Sequence, residues 1–174
     1  MENYVFIKGL IKDVDEIYLL IKKRIKWMDD NNIKQWNKTN YLSSYPKEYF
    51  EEKATSGQLY VMKDKSSDKV VGAVLLLEED ERLGIDFSNS YYIHNLVSDT
   101  EFPGVGKEII QSCEKIAIKQ GKDRIRLDCQ ATNSKINNFY SELGYKYIEN
   151  FQEGTYVGNK REKLLIRNMG KTSS

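Results

Sequence analysis

The chain is poor in the residues that hold metals and staple small domains. In 174 residues it has one histidine, His94, and two cysteines, Cys113 and Cys129. Neither cysteine belongs to a C-x-x-C pair, so the ligand spacing of a zinc site is missing and no metal is expected. Each cysteine sits in an apolar pattern and reads as a reduced, buried thiol of an intracellular protein. No apolar run approaches the roughly 20 residues of a membrane span. The opening "MENYVFIKGL" has neither the basic start nor the long apolar core of a signal peptide. A cytoplasmic location with no membrane partner is therefore the expectation. An excess of charge of one sign is missing too. Lys plus Arg is 27 and Asp plus Glu is 26, a net charge of +1. That balance exerts no global pull on nucleic acid or on an acidic membrane.

What is present fits one globular domain. The length suffices to bury a substantial core. There is no internal repeat and no linker, so the domain is expected to run over 1–169, with "GKTSS" at 170–174 as a frayed tail. A first strand reads over 3–10. A helix follows over 12–30, with Val14, Ile17, Leu20, Ile21, Ile25 and Met28 at helical spacing and Asp13 with Glu16 resembling a capping box. Residues 31–44 read as loop, and Pro46 as the first position of a second helix that Gly57 closes. "GQLYVMKDK" and "DKVVGAVLLLEE" read as a hairpin around "DKSSD". "SNSYYIHNLVSD" is a further strand. A helix over 104–120 follows, with Val105, Ile109, Cys113, Ile116 and Ala117 on one face. "DRIRLDCQA" is a strand, "NSKINNFYSELG" a helix capped by Asn133, and "YKYIENFQ" and "KREKLLIRN" are the last strands. The order β-α-α-β-β-β-α-β-α-β-β, with a strand-helix-strand crossover over 90–131, implies a mixed α/β sheet containing one parallel pair.

One of only two prolines, Pro103, stands before Gly-Val-Gly in "TEFPGVGKEII". A glycine turn between a strand and a helix N-terminus is suited to an anion, because backbone N–H groups are free there and the helix dipole favours negative charge. The spacing excludes two common nucleotide motifs. A dinucleotide fingerprint needs glycine where Ile109 stands, and a P-loop needs Ser or Thr where Glu108 stands. A turn whose glycines serve only tight packing is the alternative.

The turn together with "NSKINNFYSELGY" resembles the GNAT family of acetyl-CoA-dependent N-acetyltransferases. "EFPGVG" matches the family's Gln/Arg-x-x-Gly-x-Gly/Ala turn at Gly104 and Gly106. Asn133, Tyr140, Gly144 and Tyr145 match the second motif. The element order fits from about residue 3 to 169. The resemblance implies a GNAT-like fold: a mixed, mostly antiparallel central sheet with a splayed parallel pair and flanking helices. It implies acetyl-CoA as cosubstrate, gripped through Leu96, Val97, Phe102, Gly104, Val105, Gly106, Lys107, Asn133 and Tyr140. The sequence departs from the family at Glu101, an acid in the Gln/Arg position, and at Pro103, which removes one N–H.

The family reaction is direct attack of an amine on the thioester. An alkylamine has a pKa near ~10.4, so a base or a water relay is useful at neutral pH. By resemblance Tyr140 stands at the general-acid position for the departing thiolate; a plain core aromatic is the other reading. The oxyanion donor is expected to be a backbone N–H near Val97. His94 is the candidate base, with a suitable pKa; simple strand alternation groups it with Tyr92 and Leu96, opposite Ile93, Asn95 and Val97. Glu78, Glu79 and Asp80 are further candidates. The resemblance implies a primary amine of a small molecule or peptide as the acceptor. Trp27, Trp36 and Tyr41 are candidates for an aromatic wall beside Asp29 and Asp30, although Trp27 reads better as core. Two other functions are open: a non-catalytic acyl-CoA sensor with the same fold, and a nucleic-acid-directed module, which the near-neutral charge disfavours. Family members are often dimers, so a homodimer through a strand or helix edge is a further expectation.

Overall fold

The computed structural model describes residues 3–84 and 88–165. It contains strands β1 (Tyr4–Lys8), β2 (Leu59–Asp64), β3 (Val70–Leu77), β4 (Ser90–Ser98), β5 (Arg124–Gln130), β6 (Lys146–Glu153) and β7 (Tyr156–Leu164). Its helices are α1 (Val14–Asp30), α2 (Tyr41–Ser44), α3 (Lys47–Thr55), α4 (Val105–Lys119) and α5 (Ser134–Glu142). The strands follow the order β1-β2-β3-β4-β5-β7-β6 in a mixed sheet. β4 runs parallel to β5, while β1–β2, β2–β3, β5–β7 and β6–β7 are antiparallel. Two compact units divide the chain: residues up to Leu77 with Ile93–Ser112, and Glu78–Tyr92 with Cys113 onward.

In the first unit β3, "VVGAVLLL", is buried along its whole length, as expected of a strand covered on both faces. Val14, Ile17, Leu20, Ile21 and Met28 of α1 are buried, whereas Ile25 is half-exposed. The expected capping box at Asp13 and Glu16 does not form. Asp13 instead closes a 3-10 turn by accepting the Leu10 N–H at 2.8 Å and pairs with the buried Lys63 at 3.1 Å. Glu16 accepts the Val70 N–H at 2.9 Å. Both acids thus serve longer-range partners. Pro46 is the N-cap of α3 rather than its first residue, and α2 is a short helix inside the segment expected to be loop.

In the second unit β5 alternates cleanly, with Ile125, Leu127 and Cys129 buried and charged residues between them. Tyr145 is fully buried and donates to Glu114 Oε1 at 2.9 Å. Both cysteines are free and buried. Burial pushes the Cys129 thiol up to about 11 and raises the Cys113 thiol further, so both stay protonated. β7 begins at Tyr156, four residues before the expected start, because the tight turn at Gly154 (φ +60°) returns the chain directly from β6. The far end of the expected last strand and the expected tail at 170–174 lie outside the described residues.

Gly72 fixes how closely α4 approaches β3. A Cβ there would lie 2.5 Å from Ile109 Cδ1, 3.1 Å from Val105 Cγ1 and 3.2 Å from the Val97 carbonyl oxygen. Two helix side chains and a backbone atom cannot all retreat. Gly72→Ala is therefore expected to lower unfolding free energy by about 1–3 kcal/mol, despite alanine's better propensity in a strand. A urea midpoint that stays the same or rises would contradict this close approach.

Candidate active site

The turn after β4 is built around Asp99, which is buried. Its N–H donates to Val71 O at 2.8 Å and its carbonyl accepts the Phe102 N–H at 3.0 Å. Its Oδ1 accepts Lys23 Nζ at 2.7 Å and the Glu101 N–H at 3.0 Å. Lys69 Nζ stands 3.7 Å from Oδ2. Burial alone would raise this carboxyl, but the hydrogen bonds from Lys23 and Glu101 and the charges of Lys23 and Lys69 hold it below the usual range. Glu101 is exposed and its carboxylate also takes Lys23 Nζ, at 2.9 Å. On the same side of the turn Arg24 donates to Ser98 O at 2.6 Å and lies over the Trp27 ring, 5.0 Å from its centre.

The rest of the turn is glycine geometry. Gly104 has φ +88°, a conformation L side chains rarely adopt. Gly106 has no such need, and a Cβ on it would meet only Ser98 Oγ at 3.5 Å, an ordinary contact. Nothing among the described residues requires glycine there. The Val105 and Glu108 N–H groups bond Phe102 O and Gly104 O at 3.4 and 3.1 Å. Among the described residues the N–H groups of Gly104, Gly106 and Lys107 have no acceptor. Lys107 is exposed in the first turn of α4, while Val105 is buried and Phe102 half-buried.

Along β4 the simple alternation does not hold, since Tyr92 and Ile93 are both buried and Asn95 is left-handed at φ +53°. Asparagine tolerates that conformation better than other non-glycine residues. Its amide donates to the Tyr41 hydroxyl and accepts from Tyr49 OH at 3.2 Å. The Asp99 N–H faces Val71, so the two-residue alternation of backbone groups turns Val97 the same way, and turns Leu96 and Ser98 to the opposite edge. Arg24 on the Ser98 carbonyl agrees with this.

His94 is half-buried, with Nε2 3.1 Å from the Tyr45 hydroxyl. Tyr45 belongs to a ladder of rings. Trp36 stacks on Tyr41 at 4.3 Å, Tyr41 meets Tyr45 at 4.8 Å, and Tyr45 meets Tyr49 at 5.0 Å. The Tyr18 hydroxyl anchors the segment by donating to Leu42 O and Tyr45 O. Of the expected wall, Trp36 and Tyr41 come together. Trp27 is a half-buried platform for Arg24 rather than core. Asp29 is taken by Asn37 at 2.6 Å and Asp30 by Lys26 at 2.9 Å.

In the second unit Asn133 caps α5, its Oδ1 accepting the Ile136 N–H at 3.2 Å. Tyr140 is buried in edge contact with Phe139 and Tyr145, and among the described residues its hydroxyl has no hydrogen-bond partner. Burial, then the nearby Cys129 and Asp128, raises its pKa well above 10, further than expected for an acid toward a thiolate. Among the three candidate acids Glu78 and Glu79 are exposed, and Asp80 is buried. Burial raises the Asp80 carboxyl against the opposing charge of Arg82, whose N–H it accepts at 3.1 Å.

Sequence reasoning passed over Asp99, Lys23, Arg24 and Asn95. The run of tyrosines at 41, 45 and 49 left no helical-face signal, because Tyr41 ends up in α2, Tyr45 at its non-helical cap and Tyr49 in α3. Lys23 and Arg24 left none, because α1 is separated from the turn by more than seventy residues of chain.

The family model for the acetyltransferase (GNAT) family matches residues 24–145. The chain belongs to this family, and is an acyltransferase. It is similar to the uncharacterized N-acetyltransferase YesJ of Bacillus subtilis, at 27% identity over 160 residues and 87% of each chain. A GNAT-family acetyltransferase structure from Listeria monocytogenes superposes with a TM-score of 0.74 at 18% identity, covering 91% of this chain and 94% of that one. The PaiA N-acetyltransferase of Thermoplasma acidophilum, solved with coenzyme A, gives 0.70 at 20% identity, covering 92% and 98%. These likenesses establish the α/β GNAT fold, and among the described residues no helix is long and apolar enough to cross a membrane.

Two predictions concern the protein without ligand. Gly106→Ala is expected to raise unfolding free energy by up to about 1 kcal/mol, and Gly104→Ala to lower it by about 1–2 kcal/mol, read from denaturant midpoints. Asp99 has a depressed folded pKa, so its contribution is complete above the unfolded value near ~3.9 and is lost as pH falls through the folded value. Asp99→Asn should therefore destabilise at pH 7 and show a shallower loss of stability below about pH 4 than wild type.

Proposed function

We propose that the protein transfers an acetyl group from acetyl-CoA to a primary amine of a small molecule or peptide. The observation that carries this is Gly106. A glycine in a helical first turn costs stability, and among the described residues nothing needs it and the N–H groups beside it have no acceptors. That arrangement suits a pyrophosphate held by Gly104, Gly106 and Lys107, with Phe102 and Val105 shaping the turn. Family membership and the coenzyme A complex of the Thermoplasma neighbour support the same reading.

Acetyl-CoA, when bound, supplies an activated acetyl group and leaves as a thiol. The chain's own groups do the rest. The opposite-facing backbone of Leu96 is suited to pair with the pantetheine amides. Its N–H is a better oxyanion donor than that of Val97, which turns toward Val71's strand. Asn133 holds the start of α5, which carries Tyr140. Because burial keeps Tyr140 protonated, it serves as a hydrogen-bond donor to the sulfur as the C–S bond breaks, rather than as a strong acid. Two groups suit the amine proton, His94 and Asp80. The ladder of Trp36, Tyr41, Tyr45 and Tyr49 offers apolar ring faces to the carbon frame of the acceptor.

The first test is thermal unfolding with acetyl-CoA. At a hundredfold excess over Kd the ligand adds about 2.7 kcal/mol, a midpoint rise of about 5–11 °C. No shift at millimolar acetyl-CoA would remove the cofactor from this protein. Thiol release over a panel of amines then reads transfer; binding without release from any amine would favour an acyl-CoA sensor. Tyr140→Phe should leave acetyl-CoA affinity and stability near wild type and cut kcat by about 10²-fold. For the base, an acidic limb of kcat/KM near pH ~6.5 that vanishes in His94→Gln assigns the histidine. A limb that survives that change and vanishes in Asp80→Asn assigns the carboxylate.

A further inference from the structure

The turn that is to hold a pyrophosphate carries two carboxylates of its own, Asp99 and Glu101. Like charges within a Debye length of about 8–10 Å repel, and both acids stand in the same turn, a few residues before the N–H groups that would meet the phosphates. One side chain touches both acids. Lys23, from α1, stands 2.7 Å from Asp99 Oδ1 and 2.9 Å from Glu101 Oε2. Lys69 is more distant and reaches Asp99 alone, at 3.7 Å. The Asp99 side chain is wholly buried and that of Glu101 is 68% exposed. The inner acid fixes the turn's shape by accepting the Glu101 N–H, and the outer one makes no such backbone bond. Glu101 therefore gives the turn little except negative charge.

We propose that Lys23 is a positioning residue for the cosubstrate: it offsets part of the charge of the turn's two carboxylates and pins Glu101 to α1, and Lys23 and Glu101 together set the affinity for acetyl-CoA in opposite directions. This rests on the reading that the turn binds the pyrophosphate. Beyond its bond to Asp99, Lys23 supplies from a distant helix the compensation for Glu101 that a neutral or basic residue at position 101 would make unnecessary. Glu101 acts as a built-in brake on affinity, and Lys23 sets how hard it presses. Neither residue touches the reacting atoms, so turnover at saturating acetyl-CoA is unaffected.

The experiment measures acetyl-CoA Kd by calorimetry, and KM and kcat with the best amine, for wild type, Lys23→Met, Lys23→Arg, Glu101→Gln and the double variant Lys23→Met/Glu101→Gln. Losing one compensating charge near a dianion should weaken binding by about 5- to 20-fold in Lys23→Met. Glu101→Gln should bind about 3- to 10-fold tighter than wild type, Lys23→Arg should match wild type, and the double variant should regain most of the loss. kcat should change less than twofold throughout. The differences should shrink in 0.5 M salt, which a merely structural peg would not show. If wild type does not bind acetyl-CoA, the transferase reading itself fails, independently of Lys23. If wild type binds and Lys23→Met binds equally well, or Glu101→Gln fails to tighten, the inference is overturned. Should Lys23→Met not fold, Glu101→Gln and Glu101→Lys decide alone, because that side chain is exposed: tighter binding supports the opposed pair and unchanged binding overturns it.

Discussion

A buried carboxylate organises the end of β4. Asp99 has given up water, and only charged or hydrogen-bonding partners make that tolerable. Its partners come from three places in the chain: Lys23 on α1, Lys69 at the entry to β3, and the backbone of its own turn. Because each partner is fixed by its own element, the turn cannot relax without leaving a charge uncompensated in the interior. The positions of Gly104, Gly106 and the first turn of α4 follow from it, and with them the direction of the unclaimed N–H groups. Gly72 completes the constraint from below by letting α4 lie close to β3.

The same region keeps function and stability apart. Gly104 is required by its backbone angle, and the fold would select it with or without a ligand. Gly106 is not, and a methyl group there would fit. Tyr140 on α5 is a different case: its ring is buried against Phe139 and Tyr145, and packing alone would accept phenylalanine there.

The fold was legible in the sequence because its signals are local. The periodicity of α1, α4 and β5, the glycine stops and the strand-helix-strand order all survive in three dimensions, and the two glycine motifs together pointed to the family. What stayed hidden was long-range. Asp13 and Glu16 look like a capping box, yet each is drawn to a partner elsewhere, Lys63 and the Val70 N–H. The left-handed Asn95 has no sequence mark, since asparagine also sits well in a regular strand edge; only Tyr41 and Tyr49 reveal it. Trp27 matched a core residue by composition, and the structure places a guanidinium over it instead. Lys23 and Arg24 read as a solvated helix face, because nothing in a sequence says which strand end a helix will cross.

The placement of the two tryptophans gives this protein optical reporters at separate places. Trp27 lies under the Arg24 guanidinium, which in turn holds the carbonyl of Ser98 where β4 ends. Trp36 stacks flat on Tyr41, whose hydroxyl is tied to Asn95. With no other indole in the chain, each can be silenced by exchange to phenylalanine while the other is watched. Emission from one then follows the strand end beside the glycine turn, and emission from the other follows the tyrosine ladder. A rearrangement at either place can be told from one at the other by intrinsic fluorescence, without attaching a dye.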